Sequence, residues 1–466
     1  MAKGNFPDAA STWVFANALG SLAESEWKVI VVVATLLMGG FAALLERGGA
    51  ISALFRKVGG THGGVSRVQG GALLAGIVCF FDGLANSLLV GRVMRGAFDR
   101  CGVPRERLAF IADSTASPVA CLGVASTWIA YQLAMISEGA EAAGVEVSPY
   151  GLYFSAWPAM FYCWAAISGV VLFVFTGWLI GPMRRASVSP FDEEADGEES
   201  APSLWRALVP LLVLLSFLFG GLWLDGASKL GRVADFSFAD AVGAADSGRV
   251  LLLGVLVGCA AAYVSFPGGS SRAGEVFLSG CQAMLYPVGI LILAWALGVS
   301  LKELGAAELV AGMLADHFPR FLFPALVFVV SCAVSFSTGT SWGTMGVLMP
   351  VALPAAIALA GPEGFSTSPL VVGAVAGVMG GSVFGDHCSP ISDTTIVSST
   401  SAGCETWSHV ASQLPYALIA GGVSLVFGYV PLGLGLSPWA CLAGVVAAMA
   451  VVRFLSTAKV FRIRVS

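Results

Sequence analysis

Residues 383–395 read VFGDHCSPISDTT. Asp386, His387 and Asp393 stand there among hydroxyl side chains, in a chain that otherwise avoids charge. Three more stretches have this character: Asp82 to Ser87, Asp113 to Pro118 and Ser335 to Thr344. Together the four supply Asp82, Asn86, Asp113, Thr115, Ser117, Thr338, Thr340, Ser341, Thr344, Asp386, Ser389, Asp393, Thr394 and Thr395. Nitrogen and sulfur donors are scarce beyond His387 and Cys388. Carboxylate, hydroxyl and carbonyl oxygens suit a small hard cation such as sodium. Asp82, Asp113, Asp386 and Asp393 are the expected metal ligands, and the other oxygens, with His387, the expected contacts to cation or substrate.

Each residue also has a plainer role open to it. A serine or threonine in an apolar helix often bonds its own backbone. His387 can steady a ligand rather than bind, Asp393 can cap the helix that follows it, and Pro118 and Pro390 can simply break helices. Trp128 and Trp342 suit a cavity wall or ordinary packing. His62, His317 and His409 lie near segment ends and read as interfacial. An enzyme using Asp386, His387 and Cys388 is disfavoured, because neighbours on a helix do not face one another.

The elements that must hold these groups are membrane helices. Of 466 residues, 57% are hydrophobic and 11% charged, against about 25% charged in a soluble domain. Apolar runs such as Val29 to Leu45, Ala156 to Ile180, Leu204 to Leu224, Val250 to Val264 and Pro438 to Val452 can each cross ~30 Å of hydrocarbon. The expected fold is an all-α polytopic membrane protein. The ten cysteines are scattered through apolar runs and imply neither disulfides nor zinc. Nothing points to nucleic acid, and no cofactor is expected beyond a transported or coupling Na+.

The chain also repeats itself. Glu46-Arg47-Gly48 closes one apolar run and Glu303-Leu304-Gly305 another; CFFDGLANSLLVGRVM aligns with SFSTGTSWGTMGVLMP, Asp82 over Thr338; STASPVACLGVAST aligns with DHCSPISDTTIVSS. The first repeat falls within 1–135 and the second within 274–405, with connecting spans over 136–273 and C-terminal spans over 406–466. Basic residues flank 68–91 on both sides, Arg47, Arg56, Lys57 and Arg67 before it and Arg92, Arg95, Arg100, Arg105 and Arg107 after. Basic loops are cytoplasmic, so this segment reads as a re-entrant hairpin, each arm of ~12 residues reaching ~18 Å. Segment 108–134 then crosses as a broken helix to an external loop with Glu138, Glu141 and Glu146. An acidic cytoplasmic linker follows at 184–200, and five crossings lie between the start of the first repeat and the start of the second. An odd number inverts the second, and the C-terminus, with Arg453, Lys459, Arg462 and Arg464, ends in the cytoplasm.

Inversion brings the four interrupted stretches together near the midplane. An ionised aspartate there costs at least ~2.5–3 kcal/mol, so each is expected to hold a cation or a proton. A carboxylate that binds either one predicts exchange of Na+ for H+ by alternating access.

At SFSTGTSWGTMG, GDHCSPISDTTIVSSTSAGC, FFDGLANSLLVGRVMR and RERLAFIADSTASPV the sequence resembles the NhaC-type sodium/proton antiporters. The resemblance implies an elevator-type transporter with inverted repeats and re-entrant hairpins, in the cell inner membrane, working as a homodimer. Relatives often carry two adjacent acids at the hairpin tip, whereas here Gly83 follows Asp82, which opens the ion stoichiometry. The family also includes exchangers of organic acids, so a sodium-coupled carrier of a small organic solute, a carboxylate or an amino acid, is the second expectation.

Overall fold

The computed structural model describes residues 25–49, 64–188, 205–230, 238–305, 309, 312, 318–361 and 364–463. Arg56, Lys57, His62, His317, Arg464 and the acidic core 189–200 of the linker lie outside them. Every regular element in the described chain is helical. Among the described residues ten helices are long and apolar enough to cross a membrane, or up to 11 if one bent pair counts as a span. The chain is a multi-pass membrane protein.

Helix α1 (Glu26–Arg47) starts at a Ser25 cap with Glu26 in its first turn and ends on Arg47, the charge order its dipole favours. Helices α2 (Val65–Val78) and α3 (Gly83–Arg100) form a hairpin. Asn86, one turn into α3, donates to Gly76 O at the end of α2 at 2.7 Å, which requires the arms to fold back on each other. The arms run over 65–100, longer than the expected 68–91. The first broken helix follows as α4 (Arg105–Thr115), α5 (Ser117–Leu122) and α6 (Thr127–Ala142), with a 47° bend before α6. Pro118 sits in the first turn of α5, where its missing N–H costs least. Glu138 lies within α6 rather than in a loop, and it forms a buried pair with Lys28 at 3.5 Å.

Connecting helices are α7 (Pro149–Ala156), α8 (Phe161–Thr176), α9 (Trp205–Leu230), α10 (Phe238–Ala244) and α11 (Ser247–Ser265). Helix α12 (Gly269–Ala283) pauses at Met284 before α13 (Leu285–Glu303). This interruption has no counterpart in the sequence reading, because Pro287 stands beyond the pause in an otherwise apolar run. A second hairpin follows, α14 (Phe323–Thr338) and α15 (Ser341–Ala360), turning on Gly339 at φ 67°. A second interrupted helix is α16 (Pro369–Cys388) and α17 (Asp393–Ala402). The chain closes with α18 (Thr406–Val423), α19 (Val430–Gly433) and α20 (Pro438–Ile463).

The two hairpin units pack crosswise. Arm α3 of the first lies along α17 of the second, and arm α15 of the second lies along α6 of the first. Asp82 caps α3 by accepting from Ala85 N, and Thr340 caps α15 by accepting from Gly343 N. The cap of the second hairpin's outgoing arm is Thr340, two residues beyond the Thr338 that the sequence alignment sets over Asp82.

Candidate functional site: a cavity between interrupted helices

A cavity of about 320 Å³ opens where the interruptions meet. Its walls carry Asp82 from the first hairpin turn, Thr338 and Thr340 from the second, and Asp386, Asp393 and Thr394 from the α16–α17 break. Thr127 and Trp128 come from the start of α6, Trp342 from α15, and Met284 and Pro287 from the α12–α13 pause. Trp128 and Trp342 form an aromatic wall with ring centroids 5.7 Å apart. Tyr131 locks Trp342 from behind, donating to its carbonyl at 2.6 Å.

Two carboxylates are held here by neutral donors. Asp82 accepts from Ala85 N at 2.7 Å and Thr127 Oγ1 at 2.8 Å. Asp386 accepts from Ser117 Oγ on one oxygen and from Ser392 Oγ at 2.8 Å on the other. Its backbone carbonyl takes the Thr394 and Thr395 hydroxyls, which ties the two halves of the broken helix together. Among the described residues neither Asp82 nor Asp386 forms an ion pair with Lys or Arg. Asp393 is open to the cavity, and its Oδ1 accepts from Thr394 N at 2.8 Å within the first turn of α17, whose N-cap is Ser392 rather than Asp393.

The remaining expected residues stand behind this wall. Asp113 is fully buried; its Oδ2 accepts from Gln413 Nε2 at 2.7 Å, His409 Nε2 at 3.1 Å and Thr395 Oγ1 at 3.2 Å. His409 is thus a buried partner of an aspartate, not an interfacial residue. Gln413 also donates to His387 O. His387 turns away from the cavity, with Ser114 Oγ 2.9 Å from one ring nitrogen and Tyr162 OH 2.8 Å from the other. Cys388 donates to Phe384 O, so Asp386, His387 and Cys388 face three different partners. Asn86 donates to Gly76 O and Thr115 O, Thr115 bonds its own helix at Ile111 O, and Ser389 donates to Phe336 O. Ser341 is buried at the first turn of α15.

The four aspartates expected as one set of metal ligands do not form one cluster. Among the described residues no three His, Cys, Asp or Glu side chains gather as a metal site. The cause is local: α4 stays helical through Asp113 and turns it toward α17 and α18, a layer behind Asp386. Sequence reasoning missed Thr127, Ser392, Gln413 and the α12–α13 pause. A hydroxyl directly after a helix cap (Thr127) and the Pro287 that follows an apolar run were the available signals.

Comparison with known proteins agrees with this architecture. A protein of Haemophilus influenzae, itself uncharacterized, is 29% identical over 439 residues, 91% of this chain and 82% of its own length. The arginine/ornithine antiporter ArcD of Halobacterium salinarum is 28% identical over 242 residues, 51% of this chain and 43% of its own. Among solved structures, the YdaH transporter of Alcanivorax borkumensis superposes with a TM-score of 0.62 at 18% identity, over 91% of this chain and 88% of that one; that likeness is one of fold. Residues 119–434 match the Na+/H+ antiporter family, a span that takes in the α14–α17 unit and α18 but starts after Ser117. With well over half of its length inside that match, the chain belongs to the Na+/H+ antiporter family.

Proposed function

We propose that the chain exchanges Na+ for H+ by alternating access, with Asp82 and Asp386 as carboxylates that hold either ion. One observation carries the reading: both are buried at the crossing of interrupted helices, and their partners there are hydroxyls and an amide. A buried carboxylate without a fixed positive partner is costly, so its charge is balanced by what it binds.

The same proposal includes two inverted repeats with re-entrant hairpins moving as an elevator, in the cell inner membrane, with the C-terminus cytoplasmic. The crosswise packing of α3 on α17 and α15 on α6 supports the inversion. Arg453 on α20 bonds Thr176 at the C-terminal end of α8, near Arg184 and Arg185, which supports a cytoplasmic end for both helices. A homodimer belongs to the reading by analogy; exposed Leu212, Phe217 and Leu224 on α9 are apolar enough to meet a second copy or lipid.

A second reading is favoured by the cavity itself. At about 320 Å³ it is at the lower end of small-molecule sites and about ten times the share of one water. An organic solute, such as the amino acids named for the Halobacterium relative, fits where a bare ion needs far less room.

Proteoliposomes with an imposed pH gradient and an internal pH dye test both. Sodium alone dissipates the gradient in the first reading, and Asp386→Asn and Asp82→Asn each stop it. Dissipation that needs sodium and a solute together selects the second. Exchange that survives both substitutions overturns the site.

A further inference from the structure

Behind the cavity, helices α3, α4 and α17 pack against one another. Four oxygens in that seam are buried and have no hydrogen-bond partner: Asp113 Oδ1, Asn86 Oδ1, Ser87 Oγ and Ser398 Oγ. All four residues are fully buried. Unpartnered buried polar atoms are uncommon and costly, so each calls for an explanation. The two hydroxyls could have turned to a backbone carbonyl, as Thr115 and Ser401 do.

The hydrogen bonds around them set their residues on facing turns of the three helices. Asn86 Nδ2 donates to Thr115 O at 2.6 Å, which lays α3 on α4 two residues beyond Asp113. Both acceptors of that amide are carbonyls, so its orientation is set and Oδ1 is the free end. Thr395 Oγ1 reaches Asp113 Oδ2 at 3.2 Å, and Ser401 Oγ reaches Ser87 O at 2.8 Å. Ser398 is midway between Thr395 and Ser401, one turn from each, on the same face of α17. Asp113 is asymmetric: Oδ2 takes donors from Thr395, His409 and Gln413, while Oδ1 takes none. Gln413 Oε1 and His409 Nδ1, on α18 behind Asp113, are unpartnered as well.

We propose that Asp113 Oδ1, Asn86 Oδ1, Ser87 Oγ and Ser398 Oγ bind a sodium ion in the α3–α4–α17 seam, a site separate from the cavity and apart from Asp82, Asp386 and Asp393. The donor set is one carboxylate, one amide oxygen and two hydroxyls, all hard oxygens. Oxygens that share a cation stand off from one another, which agrees with the absence of hydrogen bonds among them. The site also couples the ion to the fold: it joins the first hairpin to the second broken helix, so sodium binding fixes the relation between the two units. The proposal rests on the reading of Na+ as an ion this chain handles.

The test is thermal unfolding of purified full-length protein in detergent, in NaCl against choline chloride, for wild type, Ser398→Ala and Ser87→Ala. Removing an orphaned hydroxyl relieves a buried polar group, so both variants melt at or above the wild-type temperature in choline. In sodium the wild type gains stability by mass action, and each variant needs about tenfold more NaCl for the same gain, the loss of about one ligand interaction. Gly422→Ala on α18, where an added methyl meets nothing within 4 Å, keeps the wild-type sodium response. A sodium response in both serine variants equal to wild type overturns the seam site and leaves exchange through the cavity standing. A wild type indifferent to sodium overturns both.

Discussion

Asp82 does two jobs that substitution separates. Its Oδ1 caps α3 through Ala85 N and its Oδ2 takes the Thr127 hydroxyl in the cavity wall. Asparagine caps a helix about as well as aspartate, whereas alanine loses about 1 kcal/mol. Asp82→Asn is therefore expected to melt within a degree or two of wild type while sodium-driven proton exchange is lost, and Asp82→Ala to lose exchange and melt lower. Circular dichroism melts beside the transport assay check this; an Asp82→Asn protein that still exchanges at wild-type rate removes the charge from the mechanism. Residues like Asp82 and Asp386 were legible because a charge inside an apolar run, next to glycine or proline, has few other reasons to be there. His409 was not, since a histidine near the start of an apolar segment has the same local pattern whether it meets lipid headgroups or, as here, an aspartate far away in sequence.

At the scale of elements, the hairpins and the α16–α17 break could be read from polar interruptions and flanking arginines, and the α12–α13 pause could not, because Gln282 and Pro287 beside it are too weak a mark in an apolar run. What holds the elements at the required closeness is small residues. Helices α14 and α16 touch along Gly377, Gly381 and Gly385; a methyl on Gly381 would lie 2.7 Å from Phe328 O and against the Ser331 side chain. Overpacking a fixed contact typically costs 1–3 kcal/mol, and here the obstacle includes backbone. Gly381→Val is expected to lower stability by about 2 kcal/mol or more and to shift α16, with Asp386 at its end, out of register with Ser117. Gly422→Ala on α18, where nothing lies within 4 Å, is the matched control and is expected to leave the melting temperature unchanged or slightly raised. Equal melts for the two variants would show that the α14–α16 contact is not tight.

For the whole molecule, the defining question is the relative direction of the two units in the bilayer. The packing offers a specific answer. Arg105, at the start of α4, pairs with Asp99 and donates to Gly403 O at the end of α17, so the end of α3 and the end of α17 are at one face. Gly139, near the end of α6, packs on Leu353 in the second half of α15, so the end of α6 lies beside that half of α15. In parallel repeats the ends of α3 and α15 would lie on the same side; the proposed inversion puts them on different ones. Under that proposal the arginines around α3 mark its face as the cytoplasmic one. Single cysteines in a background freed of the ten native ones report this directly. Glu146→Cys and Ser366→Cys, both exposed, are expected to react with a membrane-impermeant maleimide in intact cells, while Arg100→Cys and Glu405→Cys react only after permeabilisation. Labelling of Ser366→Cys that follows Arg100→Cys instead of Glu146→Cys would put both units in the same orientation, and the crossing of broken helices at the midplane would lose its basis.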